Sequence, residues 1–481
     1  MAKRKKSPPA PNSGGAGKET LFSLTPPELG VVGGLHRWLL AALVLTYLVL
    51  AVGYSAVTPV ATADQHNPDE NAHMQYVATL ASGHLPVFTD VQHGYENHQP
   101  PLYYALCAPV YLAAQSHGAA AATKAVRWVS ILLGALLILV TYCCITTLVP
   151  ENPWLALGTA TFVGLLPSNV ALSASVTNDV LTNLVMAVGL WLLTKFVQSV
   201  ANETNKGEAV WLGVVLGIGL WTKTSALLLF PTVLFAFYLL ARQKLLPTPL
   251  MFRSALVALG VGTLLGAPWL LRNQMLYGDP LAHHIFVSAF SQTAQADIIT
   301  HFLFHDSLPG YLGGVARWTF ASFWGGFDSG LIFWGQNPHE RLNPAAHGAY
   351  GIYGGLPPAI YMLPALLVIA SIIGLIRLRQ TKASSLTPQQ SILACSFALL
   401  IFLMSVVFLR FILTFFQAQG RYFYPALLPL TFFFVWGWCG LLPRPGWFPA
   451  FVGLIVAALV VLNAYTLFGL LLPRFSMGIL P

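Results

Sequence analysis

A short polar stretch that follows the first long hydrophobic run carries the residues most suited to acid–base chemistry. It reads Asn67-Pro68-Asp69-Glu70-Asn71-Ala72-His73. Of the 16 acidic residues in the chain, five lie between positions 61 and 100, namely Asp64, Asp69, Glu70, Asp90 and Glu96. A positioned carboxylate can accept a proton from a reacting group or bind a divalent cation. Asp69 is therefore a candidate to accept a proton or to bind a metal ion.

The same stretch also reads as the start of a helix over about 68 to 82. Asn67 would be the N-cap, Pro68 the first helical residue, and Glu70 the third position of a capping box. In that interpretation Asp69 and Glu70 only cap a helix. His73 follows one turn after Asp69, where it could bind a metal, contact substrate or simply line an interface. Asp69, Glu70 and His73 are thus possible ligands of a divalent ion, and no other cofactor is predicted.

Composition identifies the class of protein that must position these residues. Hydrophobic residues make up 56% of the chain and charged residues 8%, against about 25% charged in soluble domains. Apolar blocks about 20 residues long match the length of a membrane-spanning helix. The fold class predicted is an all-α polytopic membrane bundle of about 11 spans: 38–60, 128–149, 154–173, 180–198, 209–222, 225–241, 254–271, 357–376, 389–410, 425–442 and 448–472. The formal charge of +8 comes from scattered loop residues, so no nucleic-acid partner is expected.

The distribution of Lys and Arg predicts the orientation. Residues 1–30 contain a basic, polar tail that we expect to be disordered in the cytoplasm, and no Lys or Arg occurs from Trp38 to Thr123. The positive-inside rule then places loops 61–127 and 272–356 outside, with segment 101–117 in the interface or re-entrant. The predicted organisation is an N-terminal membrane module, 31–271, the external loop 272–356, and C-terminal helices in 357–481.

Other polar residues are predicted near the same external face. Asp179, in Thr177-Asn178-Asp179, is a candidate second acid or, alternatively, part of a helix N-cap. Arg272 and Arg421, each at the external end of a span, suit a phosphate group, with Lys223 and His98 behind them. The alternative for both arginines is that they reach toward lipid headgroups.

Several of these motifs, taken in order, resemble those of the membrane-embedded GT-C glycosyltransferases, in the bacterial branch related to protein O-mannosyltransferases and lipid A aminoarabinose transferases. The resemblance rests on Pro68-Asp69-Glu70-Asn71-Ala72-His73, His98-Gln99-Pro100-Pro101-Leu102-Tyr103-Tyr104, Thr177-Asn178-Asp179, Leu271-Arg272-Asn273, Tyr277-Gly278-Asp279-Pro280 and Gln419-Gly420-Arg421-Tyr422. It implies a GT-C-like bundle with in-plane helices in the first external loop, and a polyprenyl-phosphate-linked sugar donor attacked with inversion. It also implies a bacterial cytoplasmic membrane and an external site. The catalytic residues implied are Asp69 as the base, Glu70, which would orient the acceptor or bind a divalent ion, and Asp179 as a second acidic residue. The substrate-binding residues implied are His73, His98, Gln99, Asn178, Lys223, Arg272, Asn273, Arg421 and Tyr422.

The leading hypothesis is therefore transfer of a hexose or pentose from a lipid-linked donor to an external lipid, glycan or protein acceptor. Two other classes stay open, a transporter or flippase of lipid-linked sugars and a noncatalytic scaffold. A transporter is expected to place ionisable groups near the middle of its spans. Nearly all acidic residues here fall in predicted external loops, which favours the enzyme. The sequence leaves the donor sugar and the acceptor undetermined.

Overall fold

The computed structural model describes residues 28–60, 69–91, 94–200, 207–292, 295–325, 361–381 and 386–473. Most of the predicted tail, together with Asn67 and Pro68, therefore lies outside the described residues. The described chain is helical throughout, apart from turns and a single β-bridge between Gln295 and Phe415. The predicted all-α membrane fold is confirmed.

The described α-helices are numbered in chain order. They are α1 Glu28–Val57, α2 Glu70–Ala81, α3 Leu102–Ala114, α4 Ala119–Leu148, α5 Pro153–Leu165, α6 Pro167–Ser173, α7 Asn178–Ser199, α8 Glu208–Leu220, α9 Leu229–Arg242, α10 Thr248–Tyr277, α11 His283–Ala289, α12 Ala296–Phe304, α13 Leu308–Trp324, α14 Met362–Thr381, α15 Pro388–Ile412, α16 Leu427–Leu441 and α17 Phe448–Ala464. Short 3₁₀ segments include Thr224–Leu228 and Gly420–Ala426, and a π-helical segment, Tyr465–Leu471, continues α17.

Nine of the helical stretches in the described residues are long and apolar enough to cross a membrane, and the bent pair α5 and α6 would make ten. The sequence predicted about 11. The difference lies at 209–222, where α8 is an apolar helix of only 13 residues. At about 1.5 Å per residue such a helix is roughly 20 Å long, shorter than the bilayer core. The segment predicted to lie in the interface, 101–117, contains α3, which is also 13 residues long and is not among the candidate spans.

Polar caps start several of these helices. The Asn152 side chain accepts a hydrogen bond from the backbone of Leu155 at the start of α5, and Thr387 begins α15 with a complete capping box. Close packing then depends on small residues, as is common between membrane helices. A Cβ atom on Gly213 of α8 would lie 2.7 Å from the Ala258 carbonyl oxygen of α10, so the glycine allows these two helices to meet.

The ends of several long helices meet at one end of the bundle. Asp69 follows α1 in the chain, Asp179 opens α7, Lys223 follows α8 and Arg421 follows α15, and their side chains are in mutual contact. Helices α2 and α3 lie in the predicted first external loop, and α11, α12 and α13 lie in the second. The bundle therefore brings these four charged residues together at helix ends.

Candidate active site

A four-membered charge cluster forms the centre of the site. Arg421 Nη2 lies 3.2 Å from Asp69 Oδ2, and its Nη1 lies 3.4 Å from Asp179 Oδ2. Lys223 Nζ pairs with the other oxygen of Asp179. The four side chains are between 10% and 22% exposed, so their attraction is screened less than that of a surface ion pair. We call Asp69, Asp179, Lys223 and Arg421 the charge cluster.

The backbone of Asp69 explains why its carboxylate reaches this cluster. Helix α2 begins at Glu70, so Asp69 is its N-cap, and Asp69 has a left-handed backbone with φ of 62°. A non-glycine residue rarely adopts this conformation. Its side chain makes no capping hydrogen bond and instead meets Arg421. Asp69 therefore occupies the N-cap position without a capping hydrogen bond from its side chain, and α2 begins at Glu70, whereas the sequence predicted a start at about residue 68.

Asp179 is likewise not the cap of its helix. The N-cap of α7 is Thr177, whose hydroxyl accepts a hydrogen bond from the Asp179 backbone at 3.3 Å. This leaves the Asp179 carboxylate available to Lys223 and Arg421. A threonine cap followed by an acid in the first turn is a common helix start, and here the acid also faces a cation pair.

Glu70 occupies a different environment from its neighbour. Its side chain is fully buried, and it receives hydrogen bonds from Arg127 at 2.9 and 2.6 Å and from the Val176 backbone at 2.7 Å. The predicted capping box would pair Glu70 with Asn67, which lies outside the described residues. Among the described residues, the Glu70 carboxylate accepts hydrogen bonds from Arg127 and Val176. Such enclosure supports a structural role for Glu70 rather than contact with an acceptor or a metal.

A hydrogen-bond chain supports Lys223 from behind. His98 Nδ1 lies 3.0 Å from the Tyr95 carbonyl, which can only accept, so this nitrogen carries the proton and Nε2 accepts from Gln99 at 2.9 Å. The Gln99 oxygen accepts from Asn178 at 3.2 Å, and the Asn178 oxygen lies 3.5 Å from Lys223 Nζ. Burial lowers the pKa of His98 to about 4, in agreement with a neutral ring.

Two further buried groups lie beside the cluster. His73 Nδ1 is 2.9 Å from the Tyr104 hydroxyl, and burial lowers the pKa of this imidazole to about 3. Glu96 Oε2 lies 4.0 Å from the same nitrogen. Burial and the nearby Asp69 raise the pKa of Glu96 to about 8. Among the described residues, no group of three or more His, Cys, Asp or Glu side chains is arranged to hold a metal ion.

Tyr422 and Gln419 complete the surroundings of Arg421. The Gln419 side-chain oxygen accepts a hydrogen bond from Arg421 Nε, and the guanidinium carbon lies 5.6 Å from the centre of the Tyr422 ring. The Tyr422 hydroxyl donates to the Gln417 side chain at 2.6 Å. Arg421 therefore has its three nitrogens directed at fixed acceptors.

Arg272 and Asn273 do not join the cluster through any of their observed contacts. Arg272 donates to the Pro86 carbonyl at 2.6 Å and stacks over Trp269, whereas Asn273 donates to the Pro280 carbonyl at 3.1 Å. One guanidinium nitrogen of Arg272, Nη1, is buried and has no partner among the described residues. These two residues attach α10 to the loops around the site.

Sequence reasoning named most of the site but missed four of its residues. These are Glu96, Tyr104, Arg127 and Gln419. Glu96 and Tyr104 flank or belong to the His98 motif, and Gln419 opens the Arg421 motif, so membership of a polar motif was an available signal. Arg127 had a different signal, because it is a charged residue at the edge of a predicted span, and such residues are costly unless paired.

Comparisons with known proteins agree with this architecture. Residues 98–267 match the family model described as dolichyl-phosphate-mannose-protein mannosyltransferase. The fold is similar to that of the Archaeoglobus fulgidus oligosaccharyltransferase crystallised with zinc and sulfate, with a TM-score of 0.52 at 12% identity over 90% of this chain and 53% of that one. A structure of the archaeal oligosaccharyltransferase AglB from the same organism, with an inhibitory peptide and a dolichol-phosphate, gives a TM-score of 0.53 at 11% identity over 92% and 56%.

A third structure, ArnT from Cupriavidus metallidurans bound to undecaprenyl phosphate, aligns with 89% of this chain and 78% of its own at 16% identity, with a TM-score of 0.37. No curated protein sequence matches the chain. This chain spans about half the length of the archaeal oligosaccharyltransferases. The similarity to GT-C glycosyltransferases that was predicted from the sequence is confirmed.

Proposed function

We propose that this protein is an integral-membrane glycosyltransferase that moves one sugar from a polyprenyl-phosphate-linked donor to an acceptor on the external side of the membrane. The observation that carries the proposal is the charge cluster, in which Arg421 bridges Asp69 and Asp179 while Lys223 holds the second oxygen of Asp179. Such a site offers a proton acceptor and two cations within one connected set of ion pairs. The lipid carrier is supported by the family description and by the dolichol-phosphate in the archaeal relative.

The chemistry that follows is a single displacement. The acceptor oxygen attacks the anomeric carbon as the bond from that carbon to the phosphate oxygen breaks, which inverts the anomeric configuration. Asp69 accepts the acceptor proton, because a carboxylate placed at the reacting oxygen acts as a general base. The departing lipid phosphate gains negative charge, which Arg421 and Lys223 stabilise.

Asp179 is the residue that holds these cations in place. It contacts both Arg421 and Lys223, so it fixes the distance between the two groups that would receive a phosphate. A phosphate would compete with the carboxylates for the same guanidinium and ammonium protons. Binding of the donor would then release Asp69 from Arg421 and free its carboxylate for the acceptor.

The placement of charge also distinguishes this proposal from a lipid-linked sugar transporter. Transport sites usually lie near the middle of the membrane. Asp179 is the second residue of α7, and Arg421 is the second residue of the 3₁₀ segment that precedes α16. Both therefore lie at helix ends, where a soluble or interfacial acceptor can approach.

The proposal is tested with purified protein in nanodiscs, a panel of polyprenyl-phosphate sugars and a crude envelope extract as the acceptor. Wild type should release polyprenyl phosphate, and Asp69→Asn should lower the rate by about 10² to 10⁴, the usual contribution of a general base. Asp306→Asn, which changes a carboxyl that is 73% exposed, is the control. A normal rate for Asp69→Asn would contradict the assignment of the base, and translocation of donor without release would favour a flippase.

A further inference from the structure

Glu96 has a buried oxygen that no described residue satisfies. The residue is 5% exposed, and its Oε2 atom has no hydrogen-bond partner among the described residues. The nearest cationic candidate, His73 Nδ1, is 4.0 Å away and already lies within hydrogen-bond distance of the Tyr104 hydroxyl. Burying a polar atom without a partner is costly, so buried polar groups are usually paired. An exception beside the charge cluster points to a ligand.

The loop around Glu96 is built to hold this side chain in one place. The Glu96 carbonyl accepts a hydrogen bond from the Gln99 backbone at 2.9 Å, and the Gly94 carbonyl accepts one from Asn97 at 2.9 Å. Gly94 has φ of 128°, a conformation that favours glycine in this turn. Because Gln99 also bonds to Asn178, the same turn is fastened to the start of α7.

Electrostatic coupling links Glu96 to every member of the charge cluster. Asp69 and Asp179 disfavour its ionisation, whereas Lys223 and Arg421 favour it, and burial is the largest effect. His73 and Tyr104 face it from α2 and α3, and Tyr95 precedes it in the loop. A carboxyl held partly protonated near neutral pH can both donate and accept a hydrogen bond.

We propose that Glu96 binds a hydroxyl group of the transferred sugar. The inference rests on the proposed function, and it concerns a residue that contacts the sugar rather than the lipid phosphate. A sugar hydroxyl also donates and accepts, so it matches the unsatisfied Oε2 atom. A phosphate carries negative charge and only accepts hydrogen bonds, so it is better matched by Arg421 and Lys223. In the proposed displacement the sugar lies between Asp69 and the cations that bind the phosphate, and Glu96 interacts electrostatically with Asp69, Arg421 and Lys223.

The experiment compares lipids that differ only in whether a sugar is attached to undecaprenyl phosphate and in which sugar it is. Undecaprenyl phosphate and its monosaccharide conjugates with mannose, glucose, arabinose and aminoarabinose are titrated into nanodiscs that contain wild type, Glu96→Gln or Glu96→Ala. For the conjugate that binds wild type most tightly, Glu96→Ala should weaken binding by about ten-fold or more, as expected for loss of a buried hydrogen bond. Binding of sugar-free undecaprenyl phosphate should change by less than about two-fold. Glu96→Gln, which keeps a donor and an acceptor, should lose less than Glu96→Ala.

Deoxy analogues of the preferred conjugate identify the hydroxyl. Removing the contacted hydroxyl should weaken binding to wild type but have no further effect on Glu96→Ala, the signature of a direct pair. Asp306→Ala is the control for loss of a carboxyl, and thermal unfolding of each variant is recorded in the same nanodiscs.

Four outcomes would overturn the inference. Equal losses for both lipids would indicate a structural role for Glu96, and no loss for either would show that it makes no contact. If Glu96→Ala raised only the KM for the acceptor in the transfer assay, Glu96 would contact the acceptor instead. If wild type binds neither lipid, the proposed function is overturned as well. If wild type binds normally and Glu96→Ala binds with unchanged affinity, only the Glu96 inference is overturned.

Discussion

Arg127 and Glu70 form a fully buried ion pair, in which two guanidinium nitrogens meet the two carboxylate oxygens at 2.9 and 2.6 Å. Arg127 also donates to the carbonyl oxygens of Ser55 and Thr58 at the end of α1. Glu70 also accepts a hydrogen bond from the backbone of Val176. The pair therefore joins α1, α2, α4 and the chain just before α7. Glu70, one member of the pair, directly follows Asp69 in the sequence.

Replacing only one residue of this pair should destabilise the protein strongly. Arg127→Met or Glu70→Met leaves a buried charge unpaired, which costs about 3–5 kcal/mol of folding free energy. The double variant Arg127→Met/Glu70→Met removes both charges and should recover part of that loss. Thermal unfolding in nanodiscs measures the effect, with the exposed Arg253→Met as the control. A single variant that unfolds like the control would show that the pair contributes little.

The charge cluster could be predicted because charged residues are few in this chain. Asp69, Asp179, Lys223 and Arg421 each lie at the edge of a hydrophobic run, and a membrane bundle brings such edges together at its two faces. The pairing among them could not be predicted, because it depends on how the helices pack. Residues 69 and 421 are 352 positions apart and yet share an ion pair.

The errors of the sequence analysis have local physical causes. Helix α2 was predicted to begin at about residue 68, but it begins at Glu70, and the Asp69 side chain before it bonds to Arg421 instead of capping the helix. Hydrophobicity alone also could not separate a short apolar helix such as α8 from a full span. Tertiary hydrogen bonds decided the first point, and helix length decided the second.

Replacing Arg421 should weaken binding of the lipid phosphate. Arg421→Lys keeps the charge but cannot contact Asp69, Asp179 and a phosphate in the same forked geometry. We expect the affinity for undecaprenyl phosphate to fall by about ten-fold or more. Titration of the lipid into nanodiscs checks this, with Arg410→Lys as the matched control because Arg410 is exposed on α15. Unchanged affinity would remove Arg421 from the phosphate site.

A methyl group at Gly420 should disturb Arg421 without touching it. A Cβ atom there would collide with the backbone of Phe323 in α13, and the Gly420 amide donates to the Ser322 hydroxyl at 2.8 Å. Gly420→Ala must therefore move either α13 or the segment that carries Arg421. We expect transfer to slow by about ten-fold or more, the effect of misplacing a catalytic group by a fraction of an ångström.

The rate of polyprenyl phosphate release measures the effect of Gly420→Ala. Gly453→Ala in α17 is the matched control, because a Cβ atom at that position meets nothing within 4 Å. Equal rates for the two variants would mean that contact with α13 does not position Arg421. A slow Gly420→Ala with normal thermal unfolding would support that positioning.

The pH dependence of stability should report the buried carboxyl of Glu96. Burial and Asp69 raise its pKa from 4.5 to about 8, so between these values the folded protein keeps a proton that the unfolded chain releases. The contribution of Glu96 to stability is therefore full below pH 4.5 and is lost as the pH rises toward about 8. The unfolding temperature of wild type relative to Glu96→Gln should fall across this window and level off above it.

His73 titrates in both proteins, so its effect largely cancels in the difference. Asp306→Asn is the control with an exposed carboxyl. If the difference in unfolding temperature between wild type and Glu96→Gln does not vary with pH, a raised pKa for Glu96 is contradicted.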